Sequence, residues 1–142
     1  MSQVEQTLTK EKLQEWADGS PFIRFCRMTI ESVDPERGTV EMKMPLFDAV
    51  RRAGGHDQFH GGPVASLIDC AGDFAVALMV KGTVPTINFR VDYVRPSSGA
   101  YLLAKATARR VGRTVSVADV DVYDEQGRLT AMGRGTYGSQ PG

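Results

Sequence analysis

A pair of glycines flanked by histidine and proline, His60-Gly61-Gly62-Pro63, precedes the most apolar segment of the chain. Proline is well tolerated in the first turn of a helix, so this tetrapeptide predicts a helix start. The first N–H groups of a helix have no partner within the helix and carry partial positive charge. Glycines at this point let a substrate approach those N–H groups closely. The turn could therefore polarise a carbonyl group, as an oxyanion hole does.

Two aspartates follow on the predicted helix, Asp69 about two turns from its start and Asp73 one turn later. Aspartate is a poor residue for a helix interior, and like charges four residues apart destabilise a helix slightly. A solvent-exposed position is the ordinary interpretation of such a residue. Here the neighbours are mostly apolar or small, and residues that oppose local stability on a buried element are candidates for function. Asp69 could act as a general base or as a nucleophile.

The helix itself is predicted over residues 63–80, which is ~18 residues and about 27 Å long. One face carries apolar residues at helical spacing: Val64, Leu67, Ile68, Ala71, Ala75 and Leu78. The opposite face is also small or apolar: Ala65, Cys70, Val76 and Ala77. A helix that is apolar nearly all round is buried on all sides. Other elements must wrap it, and a partner must cover any side that they leave open.

Alternating apolar and polar residues predict strands around this helix. The predicted strand regions are residues 22–33, 39–45, 85–95, 100–110, 114–123 and 129–137. The first two form a hairpin, and the last four follow one another as an antiparallel meander. In the third, Thr86, Asn88, Arg90 and Asp92 alternate with Ile87, Phe89, Val91 and Tyr93.

The remaining segments complete the predicted architecture. A short N-terminal helix is expected at about residues 9–18, with Thr9 as its N-cap, and residues 47–59 are expected to form a loop. The economical arrangement belongs to the α+β class: a curved antiparallel sheet of about six strands wrapped around one long buried helix. The 142 residues fit one domain, residues 1–142, with its core at about 22–138.

Composition narrows the possible partners. The chain has 17 Lys+Arg and 17 Asp+Glu, so its net charge of zero gives no indication of a nucleic-acid or membrane partner. The first residues lack the apolar segment of a secretory signal, so we expect a cytoplasmic location. Two histidines and two cysteines without ligand spacing predict no metal site.

Beyond these patterns, the chain resembles the hotdog-fold acyl-CoA thioesterases of the phenylacetic-acid-degradation type. The resemblance is carried by His60-Gly61-Gly62, by the acidic residue nine positions after His60, by the small residues that follow and by residues 85–96, and it covers roughly residues 38–138. It implies the hotdog fold and the hydrolysis of an acyl-CoA thioester, with no cofactor because coenzyme A is part of the substrate. It also implies a dimer or tetramer, in which the carboxylate of one subunit faces the glycine-rich turn of another.

The resemblance also implies a role for each matching residue. Asp69 would be the general base or nucleophile, and the Gly61 amide would polarise the carbonyl while Gly62 allows close approach. His60 would orient the turn or the sulfur side of the substrate. The Thr86 hydroxyl would help to hold the attacking water.

One position departs from the family pattern. Gly54 occupies the place where the family usually has Asn or Gln, six residues before the motif histidine. Gln58 could supply the missing amide, and so could His56 or Asp57. The substitution also keeps open a second function, that of a non-catalytic acyl-CoA or acyl-carrier binding module. A dehydratase or hydratase would need a His and an acid at a different spacing, which the sequence lacks.

Substrate-binding residues are less sharply predicted. Asn88 and Arg90, on the strand after the long helix, are expected to contact the substrate. Arginine suits the phosphates of coenzyme A, and the candidates are Arg51, Arg52, Arg90, Arg95, Arg109, Arg110 and Arg113. The acyl group stays open between aryl and medium-chain types, with four aromatic residues as possible pocket walls: Phe59, Phe74, Phe89 and Tyr93.

Overall fold

The N-terminal part of the fold is a pair of short helices. The structure, a computed structural model, describes residues 6–142, so the first five residues of the predicted single domain lie outside the described part. Helix α1 spans Lys10–Asp18 and helix α2 spans Pro21–Phe25, with Thr9 and Ser20 as N-caps. Helix α1 confirms the predicted N-terminal helix.

Helix α2 corrects the first predicted strand region, residues 22–33. Strand β1 spans only Thr29–Asp34. The Ser20 hydroxyl accepts a hydrogen bond from the Ile23 N–H at 3.3 Å, and Pro21 occupies the first turn. Serine as N-cap followed by proline is a helix start signal. Residues 21–25 therefore form a short helix before the strand begins, in which Ile23 is buried and Phe22 and Phe25 are exposed.

The six strands form one antiparallel sheet in the order β1-β2-β4-β5-β6-β3. Their bounds are β1 Thr29–Asp34, β2 Thr39–Pro45, β3 Thr86–Tyr93, β4 Tyr101–Val111, β5 Val115–Asp124 and β6 Leu129–Gly138. Strands β1 and β2 form the predicted hairpin. The predicted loop at residues 47–59 holds one short 3₁₀ helix, Asp48–Val50.

Strand β3 does not lie beside β4, so the predicted four-strand meander is wrong. It pairs with β6 at the far edge of the sheet, where Val91 lies opposite Gly133. Strand β4 pairs instead with β2, where Met42 lies opposite Ala104. Alternation within a strand predicts its faces but carries no information about its neighbour, because strand order depends on contacts between distant residues.

The long helix α3 spans Gly61–Val80 and packs against the sheet. All six residues of the predicted apolar face are buried. On the opposite face, Val76 and Ala77 are buried, whereas Ala65 and Cys70 are only half-buried. By length and composition α3 could cross a membrane, but here it is the core helix of the fold. The N-terminal half of α3 thus keeps one side open, and Asp69 lies on that half.

Candidate active site

Thr86 faces α3 because strand β3 is irregular at its beginning. Thr86 lies opposite Tyr137 and Asn88 lies opposite Thr136, so Ile87 is an extra residue in the ladder. Residues opposite each other in an antiparallel pair lie on the same face of the sheet. Thr86 therefore shares the helix-facing side with the fully buried Tyr137, whereas strict alternation would have placed it with Asn88.

This orientation brings Thr86 to Asp69. The Thr86 Oγ1 donates a hydrogen bond to Asp69 Oδ1 at 2.8 Å. The Tyr137 hydroxyl donates to the backbone carbonyl of Asp69 at 3.0 Å, which ties this turn of α3 to β6. Burial raises the pKa of the Asp69 carboxyl, and the hydrogen bond from Thr86 opposes that rise. A carboxylate with a raised pKa is a stronger base than a free aspartate.

Asp69 opens into a cavity of about 200 Å³ between α3 and the two N-terminal helices. Its lining residues are Trp16, Ser20, Ile23, Asp69, Cys70, Asp73, Phe74 and Thr83. Burial, and to a smaller extent the charge of Asp69, raise the pKa of Asp73 to about 7. Among residues 6–142, no hydrogen bond or ion pair engages the Asp73 side chain. The sequence showed the spacing between Asp69 and Asp73 but gave no role to Asp73. Trp16 and Ser20 could not be predicted as lining residues, because only tertiary packing brings them to this cavity.

The glycine-rich turn forms the start of α3, as predicted. His60 is the N-cap, and its Nδ1 accepts a hydrogen bond from the Gly62 N–H at 2.9 Å. The Tyr93 hydroxyl donates to the Gly61 carbonyl at 2.6 Å, so the peptide group between Gly61 and Gly62 is held at both ends. In the described part of the chain, the Gly61 N–H has no hydrogen-bond partner. The turn therefore offers one free amide. The sequence indicated Tyr93 only as a possible pocket wall and did not predict its hydrogen bond to the turn.

Little space surrounds either glycine. A Cβ atom at Gly61 would lie 3.3 Å from the Tyr93 hydroxyl oxygen, and one at Gly62 would lie 3.2 Å from His60 Nδ1. These separations are tight for a methyl group, so any side chain would displace the groups that hold the turn.

A second cavity, of about 480 Å³, surrounds this turn. Its lining residues are Arg52, Gln58, Phe59, His60, Gly61, Val64, Tyr93, Val94, Arg95, Pro96 and Ser97. It therefore brings the predicted Gln58, His60 and Gly61 together. The Gln58 Oε1 accepts a weak hydrogen bond from Arg52 Nη1 at 3.4 Å. Gly54 is exposed and lines neither cavity.

Asn88 and Arg90 are not brought to either cavity. The ladder register turns both toward the outer face of the sheet. The Arg90 guanidinium donates a hydrogen bond to Asp92 Oδ1, and Arg90 lines a different cavity on the outer face of the sheet. The alternation prediction grouped these residues with Thr86, and the extra residue at Ile87 separates them from it. No group of three or more His, Cys, Asp or Glu within residues 6–142 could hold a metal ion.

Asp69 and Gly61 also lie apart within one chain. They are eight residues apart on the same helix, which corresponds to about 12 Å along its axis. Within residues 6–142, no residue lines both cavities. A single carbonyl carbon cannot lie within reach of both groups in one subunit.

Comparison with known proteins gives consistent matches. The family model described as thioesterase superfamily matches residues 56–131. A protein of Halobacterium salinarum that carries the name of an esterase is 33% identical over 136 residues, which is 88% of this chain and 88% of that protein. The acyl-coenzyme A thioesterase PaaI of Escherichia coli K12 is 34% identical over 83 residues, which is 57% of this chain and 58% of PaaI.

Solved structures give the same result for the fold. The structure of E. coli PaaI, a protein of the phenylacetic acid degradation operon, matches with a TM-score of 0.79. The match covers 95% of this chain and 98% of that chain at 23% identity, so it shows a shared fold.

Proposed function

Because the chain belongs to the thioesterase superfamily and is a thioester hydrolase, we propose that it hydrolyses an acyl-CoA thioester to a free acid and coenzyme A. The resemblance and the hotdog fold predicted from the sequence are confirmed by the family match and by the PaaI structure. The observation that carries the proposal is the half-buried Asp69 carboxylate, hydrogen-bonded by Thr86 at the edge of a cavity. Coenzyme A enters only as part of the substrate, and the cytoplasmic location stays a prediction.

In the proposed reaction, Asp69 activates the attack on the thioester carbonyl. As a general base it takes a proton from water while the water oxygen bonds to the carbonyl carbon, after which the C–S bond breaks and coenzyme A leaves as a thiol. As a nucleophile, a carboxylate oxygen of Asp69 would instead bond to the carbonyl carbon while the C–S bond breaks and coenzyme A leaves as a thiolate that takes a proton from water. Water then hydrolyses the resulting mixed anhydride to the free acid and the restored Asp69 carboxylate. The Thr86 hydroxyl occupies Oδ1, so Oδ2 is the oxygen available for either role.

The Gly61 amide is the proposed oxyanion donor. The neighbouring Gly62 N–H is occupied by His60, and Pro63 has no N–H, which leaves the Gly61 N–H for the carbonyl oxygen of the substrate. Gln58 lines the same cavity and is the proposed replacement for the amide side chain that is missing at Gly54.

The separation of Asp69 from Gly61 supports a site that two subunits share. We propose that Asp69 of one subunit faces the Gly61 amide of another in a dimer or tetramer. Strand β3 lies at an edge of the sheet and exposes 55% of Ile87, 39% of Phe89 and 53% of Tyr93. An unpaired edge with exposed apolar side chains is suited to pairing with a second chain.

Substitution of Asp69 tests the hydrolase proposal. Asp69→Asn and Asp69→Ala should lower kcat at least about a hundredfold in an assay that follows free thiol from acyl-CoA esters, as loss of a general base does. Asp121→Asn, at an exposed position on β5, is the matched control. Unchanged turnover in both Asp69 variants would end the assignment. Tight acyl-CoA binding by the wild-type protein without thiol release would support the binding-module alternative.

Mixed dimers test the shared site. A mixture of Asp69→Asn and Gly61→Val subunits contains hybrid dimers in which one site has both an intact Asp69 and an intact Gly61. Activity should therefore return on mixing after reversible dissociation, although each variant alone is inactive. No recovery in proven hybrid dimers would place both groups of one site in the same subunit.

A further inference from the structure

The cavity around the Gly61 amide carries unneutralised positive charge. Its charged lining residues are Arg52 and Arg95, and no aspartate or glutamate among residues 6–142 lines it. Both arginines are exposed. Because the whole chain has a net charge of zero, this positive character is a local feature of the cavity.

Most other arginines that could bind phosphate are already engaged or lie elsewhere. Three are paired with an aspartate at 3.1–3.4 Å: Arg51 with Asp48, Arg90 with Asp92 and Arg109 with Asp119. Arg110 and Arg113 lie at or beyond the end of β4 and line neither the Gly61 nor the Asp69 cavity. Only Arg52 and Arg95 among these candidates stand at the proposed site.

The backbone fixes these two arginines while their guanidinium groups stay available. The Arg52 N–H donates to the Gln58 carbonyl at 2.8 Å, and the Arg95 N–H donates to the Thr130 carbonyl at 3.1 Å. Among the residues that the structure describes, the only hydrogen bond of the Arg52 side chain is the weak 3.4 Å contact with Gln58. The Arg95 side chain has no hydrogen bond or ion pair within residues 6–142. Two separate segments, the loop before α3 and the chain after β3, thus present to one cavity guanidinium groups that have no acidic partner among residues 6–142.

We propose that Arg52 and Arg95 bind the phosphates of coenzyme A while its thioester lies at the Gly61 amide. A guanidinium group can donate two parallel hydrogen bonds to a phosphate. The pantetheine arm separates the thioester sulfur from the phosphates, so phosphate ligands belong at the rim of the cavity, where exposed arginines stand. The inference rests on the proposed function, since it names the residues that hold the carrier of the proposed substrate.

Paired substrates test this site. The same acyl group is offered on coenzyme A and on pantetheine, which has no phosphate, to full-length Arg52→Ala, Arg95→Ala and the double variant. Each single variant should raise KM for acyl-CoA about tenfold or more, because a hydrogen bond to a charged group is lost. The rise should be at least about tenfold smaller for acyl-pantetheine, and Arg52→Lys should recover part of the loss because it keeps the charge.

The matched control is an arginine that lines neither cavity. Arg113→Ala removes an exposed arginine at the β4–β5 turn and should change neither KM. Equal rises in KM for both thioesters would overturn the phosphate site and would indicate a general disturbance of the cavity.

Binding of free coenzyme A separates this inference from the hydrolase proposal. Titration calorimetry with coenzyme A should show at least about tenfold weaker binding to the double variant than to the wild type. That loss without any hydrolysis by the wild type would uphold the phosphate site and end the proposed activity. Hydrolysis by the wild type with unchanged coenzyme A affinity in the double variant would overturn the phosphate site and leave the proposed hydrolase activity in place.

Discussion

Thr86 and Asp69 meet in the gap between β3 and α3, where the threonine hydroxyl donates to one carboxylate oxygen at 2.8 Å. The contact exists because one extra residue in β3 turns Thr86 toward the helix. The hydrogen bond favours the ionised carboxylate, against the effect of burial, and it limits the rotation of the side chain. In the proposed reaction, Thr86 therefore both orients the base and sets the pH at which it loses its proton.

Thr86→Val tests this role while it preserves the shape of the side chain. Loss of the hydroxyl removes the interaction that lowers the pKa of Asp69, so the acidic limb of the kcat/KM profile should move to higher pH. The rate near neutral pH should fall about tenfold, because the bond is made to a charged group. Thr107→Val on β4, which lines the cavity on the outer face of the sheet, is the control. An acidic limb at the wild-type pH in Thr86→Val would contradict the role.

Asp73 should make the stability of the protein depend on pH. Its pKa is raised from an ordinary 3.8 to about 7, so the folded state holds this proton more tightly than the unfolded chain. The resulting stabilisation is complete below pH 3.8 and is lost as pH rises through about 7. Asp73→Asn should therefore gain about 1–3 kcal/mol over the wild type at pH 8 and much less at pH 5. Urea unfolding at both pH values checks this, and an equal difference at the two would contradict it.

Asp73 should also affect the reaction above neutral pH. The charge of Asp69 contributes to the raised pKa of Asp73, so Asp69 ionises first and Asp73→Asn should leave the acidic limb in place. Above about pH 7, a second negative charge next to Asp69 opposes the charge that develops on the carbonyl oxygen. Wild-type kcat should therefore decline above about pH 7, whereas Asp73→Asn should keep a plateau. A decline of the same size in the variant would show that Asp73 is not its cause.

Tyr93→Phe should impair the oxyanion turn and leave the fold intact. The lost hydroxyl holds the Gly61 carbonyl at 2.6 Å, and one neutral hydrogen bond contributes about 1 kcal/mol. We expect kcat to fall roughly fivefold, with KM changed by less than about twofold, since the amide acts mainly on the transition state. Tyr101→Phe, whose ring packs under Lys43, is the matched control. A rise in KM at constant kcat would indicate substrate binding in place of positioning.

Local patterns in the sequence determined the elements that build the site. The glycines and Pro63 predicted the start of α3, and the apolar repeat predicted its length, because these signals act within one or two helical turns. Alternation likewise predicted β2 and the run from β4 to β6. The family resemblance rested on the glycine-rich turn, the spacing from His60 to Asp69, the small residues that follow and residues 85–96 taken together.

Tertiary structure alone decided which side chains meet. A single extra residue in β3 reversed the face of Thr86, and alternation is informative only while a strand stays regular. The pairing of β3 with β6 depends on contacts between residues more than thirty positions apart, such as Val91 and Gly133. In the same way, Arg52 and Arg95 share a cavity only because the folded loops converge there. Short-range preferences shape the elements, whereas their neighbours are selected by burial of the whole core around α3.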